Sequence, residues 1–318
     1  MKIVTFNILS KKLVVKYPPY NPPREFTPEF HEKRLLLIQE KLLKHIKSGA
    51  IICLQEVDAE TSFPIQKILK ENNYDFYYHP YAGEPTGYMG IAICVPSNVI
   101  IRSLDRFQLA EGKKWPKFKV SLWRRILNRM TFGFLNYTKM YQNWFKYQFN
   151  KQFQLSIQVE KDGKLFWVST VHIPADFKMP SSMITYIGLA RQHIESISNG
   201  LPYVLGGDFN TEPKTPYFPI ITDGTCDYST LDKDYPPEDK WRPSSSLVRK
   251  LKSAVEGIKW TDFTVTGKST YKGVIDHILV TEEFKVLSYS KNELPEITCP
   301  NDTEPSDHID IWAEIALK

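Results

Sequence analysis

The sequence predicts an α+β protein in which strand-like segments outnumber helical ones. Three observations support this fold class. Several continuous apolar runs have the length of strands buried on both faces, amphipathic stretches with helical spacing lie between some of them, and many segments end in polar side chains. A chain of 318 residues that is 42% hydrophobic can bury a large core, which allows one large domain or two small ones.

The beginning of the chain predicts one strand and one long helix. Residues 2–9 form a strand-like run that carries Asn7 near its end. Thr27 is a favourable N-cap and Pro28 suits the first helical position, so we expect a helix over residues 27–47. Its apolar residues recur at helical spacing, which indicates one buried face.

The next stretch predicts a buried strand that ends in an acid. Residues 50–54 are continuously apolar and lead to Glu56. A second helix is expected after a cap near Ser62, with Pro64 in its first turn. Further strands are expected at residues 76–79 and 90–95.

Residues 112–151 differ from the rest of the chain in charge. They contain ten Lys or Arg and no Asp or Glu, and they alone account for the net charge of +5. The apolar residues at helical spacing in this segment are Val120, Trp123, Ile126, Leu127 and Met130. This pattern predicts a basic amphipathic helix. Three hypotheses remain: an insertion packed on the core with a solvated basic face, a nucleic-acid surface with stacking aromatics, or a peripheral membrane helix.

The second half of the chain predicts a hairpin that ends in a histidine. Asp162 and Gly163 separate two alternating runs, at residues 153–159 and 164–171, and Asp-Gly is a strong turn signal. The second run ends in His172. The helices expected after the hairpin cover residues 182–198, 215–222 and 248–255.

A Gly-Gly-Asp-Phe-Asn stretch follows the apolar residues 203–205. Gly206 and Gly207 permit a tight turn and close approach to a ligand, and the side chains of Asp208 and Asn210 would point the same way. A carboxylate beside a neutral amide suits a phosphate ester, because the acid can hold a cation or take a proton while the amide donates to the anion. Both residue types are also common in turns, so this stretch alone is a weak indication.

The last two strands carry further polar groups. Asp276 lies inside the apolar run at residues 274–280, and Asp307 with His308 opens the final strand, at residues 309–316. Six element ends therefore share one chemical character: Asn7, Glu56, His172, Asp208 with Asn210, Asp276, and Asp307 with His308.

The order and local wording of these ends resemble the endonuclease/exonuclease/phosphatase superfamily, which has the DNase I-like fold. The motifs are Thr-Phe-Asn, Leu-Gln-Glu, Thr-Val-His, Gly-Asp-Phe-Asn, Ile-Asp-His and Ser-Asp-His, and they span nearly the full chain. The resemblance implies a four-layer α/β/β/α sandwich of two mixed β-sheets flanked by helices. It also implies a single domain over residues 1–318, with the basic, aromatic-rich segment at about 112–151 as an insertion.

The resemblance implies a metal site. Glu56 would be the principal ligand of Mg²⁺, supported by Asn7 and Asp307, with one or two ions bound and Mn²⁺ able to substitute. Hard carboxylate and amide oxygens suit Mg²⁺, which keeps several waters and needs few protein ligands.

It also implies a division of catalytic roles. Asp208 would orient or deprotonate the attacking water. Asn210 and His172 would hold the phosphate and its transition-state charge. His308 would act as acid/base or transition-state contact, with Asp276 holding its ring, because an acid behind a histidine fixes its tautomer.

Within the superfamily the wording is similar to the deadenylase, nocturnin and 2′,5′-phosphodiesterase branch. In that branch an aromatic residue stacks on a base, and Phe263 in the Trp-Thr-Asp-Phe-Thr motif is our candidate, with Trp260 as the alternative. Core packing is an equally good explanation of both. Asn150 and Arg191 are further candidate substrate-binding residues. The sequence departs from the branch at His277, where an aromatic residue is usual.

The leading functional hypothesis is a Mg²⁺-dependent phosphodiesterase that acts on RNA as a 3′–5′ exonuclease, similar to a deadenylase. One alternative is a lipid-headgroup phosphodiesterase or phosphatase of the sphingomyelinase or inositol phosphatase type. Another is a small-nucleotide phosphatase or 2′,5′-phosphodiesterase. A non-catalytic binding module is disfavoured, because such proteins usually lose a metal ligand or the terminal histidine, and both are present here.

Composition sets the expected environment and partners. The four cysteines show no metal-ligand spacing, which disfavours a zinc site or a disulfide framework. No stretch has the pattern of a signal peptide or a membrane span. We therefore expect an intracellular monomer, cytoplasmic rather than nuclear, that binds RNA or a nucleotide. Residues 112–151 would contact an anionic surface without stable membrane insertion.

Overall fold

The computed structural model describes residues 1–11, 13, 27–80, 89–110, 122–131, 152–175, 177, 180–227, 248–266, 269–291 and 299–318. The helices with described bounds are Pro28–Lys47 (α1), Ala59–Glu71 (α2), Leu122–Met130 (α3), Pro180–Ser198 (α4) and Pro219–Asp223 (α5). The strands are Lys2–Asn7 (β1), Ile51–Val57 (β2), Tyr74–Pro80 (β3), Gly90–Pro96 (β4), Ile100–Gln108 (β5), Phe153–Lys161 (β6), Lys164–His172 (β7), Tyr203–Asp208 (β8), Lys252–Ser253 (β9), Asp262–Thr266 (β10), Ser269–Gly273 (β11), Asp276–Val280 (β12), Phe284–Tyr289 (β13) and Ile311–Leu317 (β14).

The strands in the described part of the chain form two six-stranded sheets and a two-stranded ribbon of β10 and β11. The first sheet has the order β13-β14-β1-β2-β4-β3, and the second has the order β5-β6-β7-β8-β12-β9. In the first sheet β1 and β2 run parallel, in the second β7 and β8 run parallel, and the other neighbours are antiparallel. Both sheets are therefore mixed.

The two sheets pack face to face, with helices outside. Because side chains alternate along a strand, Ile3 of β1 enters the core between the sheets, while Val4 and Phe6 face outward. The outward face of the first sheet is buried against α1 and α2, and that of the second against α4 and α5. This arrangement confirms the predicted four-layer α/β/β/α sandwich.

The parallel pairs determine where the polar strand ends lie. Asn7 is the last residue of β1 and pairs with Gln55, one residue before Glu56. His172 and Asp208 are the last residues of β7 and β8 and pair with each other. Strands that run parallel end at the same edge of their sheet, so each sheet presents two polar ends side by side.

Several predicted elements agree closely with the structure. The helix α1 begins after Thr27, whose side chain accepts from the backbone N–H of Phe30. The hairpin of β6 and β7 turns at Asp162 and Gly163, with φ values of 53° and 73°. Both are positive, as the favoured two-residue hairpin turn requires.

Other predictions were wrong. The helix α2 is capped by Asp58, not near Ser62, so Pro64 lies inside the helix. Residues 248–255 are not helical and contain only the short strand β9. The predicted helix at residues 215–222 is shorter and displaced, since α5 begins at Pro219. The strands β5, β10, β11 and β13 were not predicted.

Within the described part of the chain, no helix combines the length and the apolar character needed to cross a bilayer. The cytoplasmic location stays a prediction. Apart from α3 and Thr131, the basic segment at residues 112–151 lies outside the described residues, and so does Asn150.

Candidate active site

Polar side chains from four strand ends, two in each sheet, meet in one buried cluster. The amide nitrogen of Asn7 donates to Oε1 of Glu56 at 3.1 Å and to Oδ2 of Asp208 at 3.0 Å. His172 Nε2 lies 3.7 Å from Glu56 Oε1 and 3.6 Å from Asp208 Oδ2. The structure thus brings together residues that are up to 201 positions apart in sequence.

Glu56 is held in an irregular part of β2. The pairing of β2 with β4 shifts between Leu54 and Val57, and Glu56 has a φ of 57°, which is unusual for a residue with a side chain. Its Oε2 accepts from the backbone N–H of Ser10 at 3.0 Å. Burial and the nearby charge of Asp307 raise the pKa of Glu56. A cation beside this carboxylate would offset both effects.

Asp208 and Asn210 form a rigid turn at the end of β8. The backbone N–H of Asn210 donates to Asp208 Oδ1 at 2.8 Å, and the φ of Asn210 is 49°. The side-chain nitrogen of Asn210 donates to the carbonyl of Ile173 at 2.8 Å, which fixes the amide. Burial and the charge of Asp276 raise the pKa of Asp208 to about 6. Asp208 is therefore mostly ionised at neutral pH and still basic enough to accept a proton.

His308 and Asp276 form a buried hydrogen-bonded pair. His308 Nδ1 lies 2.8 Å from Asp276 Oδ2, so the pair fixes the ring and leaves Nε2 facing the cluster, 3.8 Å from Asp208 Oδ2. Burial opposes the charged form of His308, but Asp276, Asp262 and Asp208 together raise its pKa well above the usual value. The ring is therefore a cation at neutral pH.

His172, in contrast to His308, favours the neutral form. Its ring is buried beside Glu56 and Asp208, and burial lowers its pKa. A neutral imidazole at this position can donate or accept one hydrogen bond without adding a charge. The cluster therefore contains one cationic and one neutral histidine, and both lie beside Asp208.

Asp262 belongs to the cluster, although it was not predicted as a site residue. Oγ1 of Thr264 lies 2.6 Å from Asp262 Oδ1 and 3.2 Å from Asp307 Oδ2, so this hydroxyl lies between the two carboxyl groups. Burial, reinforced by the charge of Asp307, raises the pKa of Asp262 well above its usual range. The acid within the Trp-Thr-Asp-Phe-Thr motif was the signal available in the sequence.

The carboxylates of this cluster fit a divalent cation. Two pairs of acids, Asp208 with Asp276 and Asp262 with Asp307, have carboxylate oxygens within 4.8 Å of each other, beside the ring of His308. The ion pairs that the structure records for these acids are with histidines. Oδ1 of Asp276 is buried and has no hydrogen-bond partner in the described structure. Concentrated, partly unsatisfied hard oxygens are what Mg²⁺ prefers.

Asn7, which is predicted to support the metal site, presents its side-chain nitrogen to the acids of the cluster. Its Oδ1 accepts from the backbone N–H of Leu9 at 3.0 Å, while its nitrogen faces Glu56 and Asp208. In this orientation Asn7 supplies a hydrogen-bond donor to the cluster and not a metal-ligating oxygen. Glu56 and Asp307 remain the predicted ligands that present oxygen atoms.

The predicted substrate-binding aromatics lie in the core. Phe263 is 8% exposed, and its ring centroid lies 5.5 Å from that of buried Trp260. Nζ of Lys272 lies 5.5 Å from the Phe263 ring centroid and 5.8 Å from that of Trp260. These contacts support the core-packing explanation over base stacking.

Arg191 also lies away from the cluster. Its guanidinium is fully buried, and Nη1 donates to the carbonyl of Ile221 at 2.6 Å. Nη2 donates to the carbonyl of Arg249. This placement argues against the predicted substrate contact, because the side chain joins α4 to the segment that follows β8.

Two aromatic residues that were not predicted lie beside the cluster. Tyr271 is half-buried and pairs across the ribbon with Thr264, whose hydroxyl contacts Asp262 and Asp307. Burial together with Glu212, Asp262 and Asp208 raises the pKa of Tyr271. The ring centroid of Phe177, which is 57% exposed, lies 6.1 Å from that of Tyr271. The available signals were an aromatic residue five positions before Asp276 and another five positions after His172.

Known structures share this fold. A structure of ANGEL2, a 2′,3′-cyclic phosphatase, in complex with adenosine-2′,3′-vanadate superposes with a TM-score of 0.72 at 19% identity, covering 99% of this chain and 95% of that chain. The human nocturnin catalytic domain gives 0.62 at 18% identity, covering 100% and 94%. D. rerio TDP2 complexed with single-strand DNA product gives 0.62 at 12% identity, covering 99% and 98%. No curated protein sequence matches the chain significantly.

The sequence matches a known protein family. The model of the endonuclease/exonuclease/phosphatase family matches residues 4–308, which is nearly the whole chain and includes every residue of the buried cluster. Together with the sandwich fold and the acid and histidine cluster at the strand ends, this match makes the protein a phosphoric ester hydrolase. The chain belongs to the endonuclease/exonuclease/phosphatase family.

Proposed function

We propose that the protein is a Mg²⁺-dependent phosphodiesterase that shortens RNA from its 3′ end. The observation that carries the proposal is the position of Asp208 between two histidines, with Nε2 of His172 at 3.6 Å and Nε2 of His308 at 3.8 Å. The three groups have different protonation tendencies, and sites that separate pKa values in this way divide acid and base roles.

Asp208 is the base of the proposed reaction. Its pKa of about 6 leaves it ionised at neutral pH, and the hydrogen bond from the backbone of Asn210 fixes the carboxylate. It takes a proton from the attacking water as the new phosphorus–oxygen bond forms. The bond from phosphorus to the 3′ oxygen of the shortened RNA breaks as this oxygen takes a proton from water, and a nucleotide 5′-monophosphate is released.

The histidines stabilise the charge that grows on the phosphoryl oxygens. Asp276 keeps His308 cationic, and His172 at the end of β7 supplies a neutral hydrogen-bond donor. Preorganised donors in a buried site act strongly, because they do not reorganise during the reaction. Glu56 and Asp307 would hold Mg²⁺, with Asp262 as an additional acidic neighbour. The ion would supply Lewis-acid polarisation of the phosphate when bound.

The aromatic pair beside the cluster supports a nucleotide substrate. Phe177 and Tyr271 lie 6.1 Å apart between ring centroids, and Tyr271 is close to the acids of the cluster. A base stacked on these rings would be held by about 1–3 kcal/mol without sequence reading. The structural neighbours bind adenosine-2′,3′-vanadate in one case and single-strand DNA product in another, which also favours nucleotide chemistry.

The test is hydrolysis of a 5′-labelled oligo(A) by the purified protein, with Mg²⁺ and with EDTA, and with product lengths resolved. A ladder that shortens from the 3′ end only with Mg²⁺ is expected. Single-stranded DNA, 2′,5′-linked adenylate, RNA ending in a 2′,3′-cyclic phosphate and sphingomyelin complete the substrate panel. Faster turnover of any of these than of oligo(A) would replace the substrate assignment.

Two variants separate the catalytic and substrate-binding parts of the proposal. Asp208→Asn removes the base and should abolish Mg²⁺-dependent turnover of every substrate. Tyr271→Leu should raise KM for oligo(A) by roughly tenfold, in line with the loss of one stacked base. Leu165→Ala changes an exposed apolar residue of β7 outside the cluster and should leave kcat and KM unchanged.

A further inference from the structure

The helix α3 exposes its apolar residues to solvent. Trp123 and Met130 are 75% and 73% exposed, and Ile126 and Leu127 between them are 40% and 49% exposed. These four residues follow the i, i+3, i+4, i+7 spacing that places side chains on one helix face. The hypothesis of an insertion packed on the core predicts their burial and is therefore disfavoured for this helix.

The segment that contains α3 begins and ends at the edge of the sheet that carries the cluster. Gln108 at the end of β5 pairs with Phe153 at the start of β6, and the next residue of β6 pairs with Val171. Val171 precedes His172, which pairs with Asp208. Residues 109–152 therefore connect two neighbouring strands at the same edge as the polar ends of β7 and β8.

Charge and side-chain type decide which partner suits this helix. Residues 112–151 contain ten Lys or Arg and no acid, so the partner is anionic. Base recognition uses aromatic rings, whereas three of the four exposed apolar residues of α3 are aliphatic or thioether side chains. An apolar face of Trp and aliphatic residues in a strongly basic segment is typical of a helix that lies in a membrane interface.

We propose that α3 attaches the enzyme to anionic lipid surfaces. The apolar face of Trp123, Ile126, Leu127 and Met130 enters the headgroup region, and the basic residues of the segment bind the anionic headgroups. Because the segment departs from the edge that carries His172 and Asp208, attachment holds the site close to the surface.

The experiment is sedimentation of the full-length protein with vesicles, without substrate. One set is phosphatidylcholine alone, and the other is phosphatidylcholine mixed with phosphatidylserine. Binding to the anionic vesicles at physiological salt, weakened by added salt and absent with phosphatidylcholine alone, is expected. The double variant Trp123→Glu with Leu127→Glu should bind the anionic vesicles at least about tenfold more weakly.

Phe63→Glu is the matched control, since Phe63 on α2 is as exposed as Trp123, at 75%. Phe63→Glu should bind vesicles like the unmodified protein. The double variant and Phe63→Glu should hydrolyse short oligo(A) at equal rates. Binding that is absent at physiological salt, or equal in the double variant and the control, overturns the proposal. Loss of RNA affinity in the double variant, with vesicle binding unchanged, would instead assign the helix to nucleic acid.

Discussion

The side-chain nitrogen of Asn7 lies 3.0 Å from Oδ2 of Asp208, and this contact joins the last residues of two strands in different sheets. The same nitrogen lies 3.1 Å from Oε1 of Glu56. A neutral donor between two buried carboxylates lowers the cost of placing them side by side. This amide is therefore one of the contacts that join the two sheets within the cluster.

Replacing Asn7 with Asp should destabilise the metal-free protein and impair hydrolysis. The change removes the donor and adds a third carboxylate, so the free energy of unfolding should fall by about 2 kcal/mol or more. Mg²⁺ should restore more stability to Asn7→Asp than to the unmodified protein, because the extra charge attracts the cation. Thermal unfolding with EDTA and with Mg²⁺ measures both effects. Equal unfolding temperatures of the two proteins in EDTA would show that the amide contributes nothing.

The raised pKa of Asp208 should make activity and metal-free stability respond to pH in opposite directions. The base must be ionised, so kcat/KM should rise with pH through about 6. The same carboxyl has a usual value of 3.8, so between that pH and about 6 the folded protein binds more protons than the unfolded chain. The contribution of this group to stability should therefore decrease as the pH rises through that window.

Asp208→Asn provides the control for both measurements. It should remove turnover, and it should flatten the pH dependence of urea unfolding in EDTA between pH 3.8 and about 6 relative to the unmodified protein. An activity profile that stays level down to pH ~5, a full unit below that value, would exclude Asp208 as the base.

Variants of two buried arginines distinguish a residue that positions the site from one that contributes only to stability. Arg34 donates through Nη1 to the carbonyls of Ile8 at 2.7 Å and Pro305 at 3.2 Å, so it links the residue after Asn7 to the segment before Asp307. Arg34→Lys should raise the Mg²⁺ concentration needed for half-maximal activity and lower kcat/KM by roughly tenfold or more, because misplacing catalytic groups slightly is costly.

Arg191→Lys is the comparison for that variant. Arg191 is equally buried and also donates to two backbone carbonyls, but these lie outside the cluster. Both variants should lose stability, by about 1–3 kcal/mol for each carbonyl left without a donor. Only Arg34→Lys should change the Mg²⁺ requirement. A similar change in both would assign Arg34 a purely structural role.

Local signals predicted the elements whose cause is local. Thr27 and Pro28 act within one helical turn, and α1 begins where they indicate. Several residues before α2 are possible N-caps. Asp58 caps the helix, because its carboxylate accepts from the backbone N–H of Thr61 while the hydroxyl of Thr61 accepts from the backbone N–H of Asp58. The prediction near Ser62 missed this pair because the acid ends the preceding strand run.

Predictions failed where distant contacts decide the structure. Residues 248–255 have helical spacing, but Leu251 and Ala254 donate their backbone N–H groups to Thr222 and Ile278, which are far away in sequence. Asp262 was passed over for the same reason. It reaches the cluster through a bridge to His308, 46 positions later, and neither spacing nor composition records that pairing. The polar residues at the strand ends were predicted, because their residue types and their order along the chain are recognisable without knowledge of distant contacts.

Gly207 should be irreplaceable, whereas its neighbour Gly206 should tolerate alanine. Gly207 has a φ of +145°, which side chains disfavour, and a Cβ there would overlap the carbonyl oxygen of its β7 partner Val171. A Cβ on Gly206 would lie 3.7 Å from the carbonyl oxygen of His277, an ordinary contact. Gly207→Ala should therefore destabilise by at least about 3 kcal/mol, and Gly206→Ala by less than about 1 kcal/mol. Urea unfolding midpoints measure the difference, and equal midpoints would mean that β7 and β8 can separate without cost. Because β8 ends in Asp208, Gly207→Ala should also lower kcat in the fraction that stays folded.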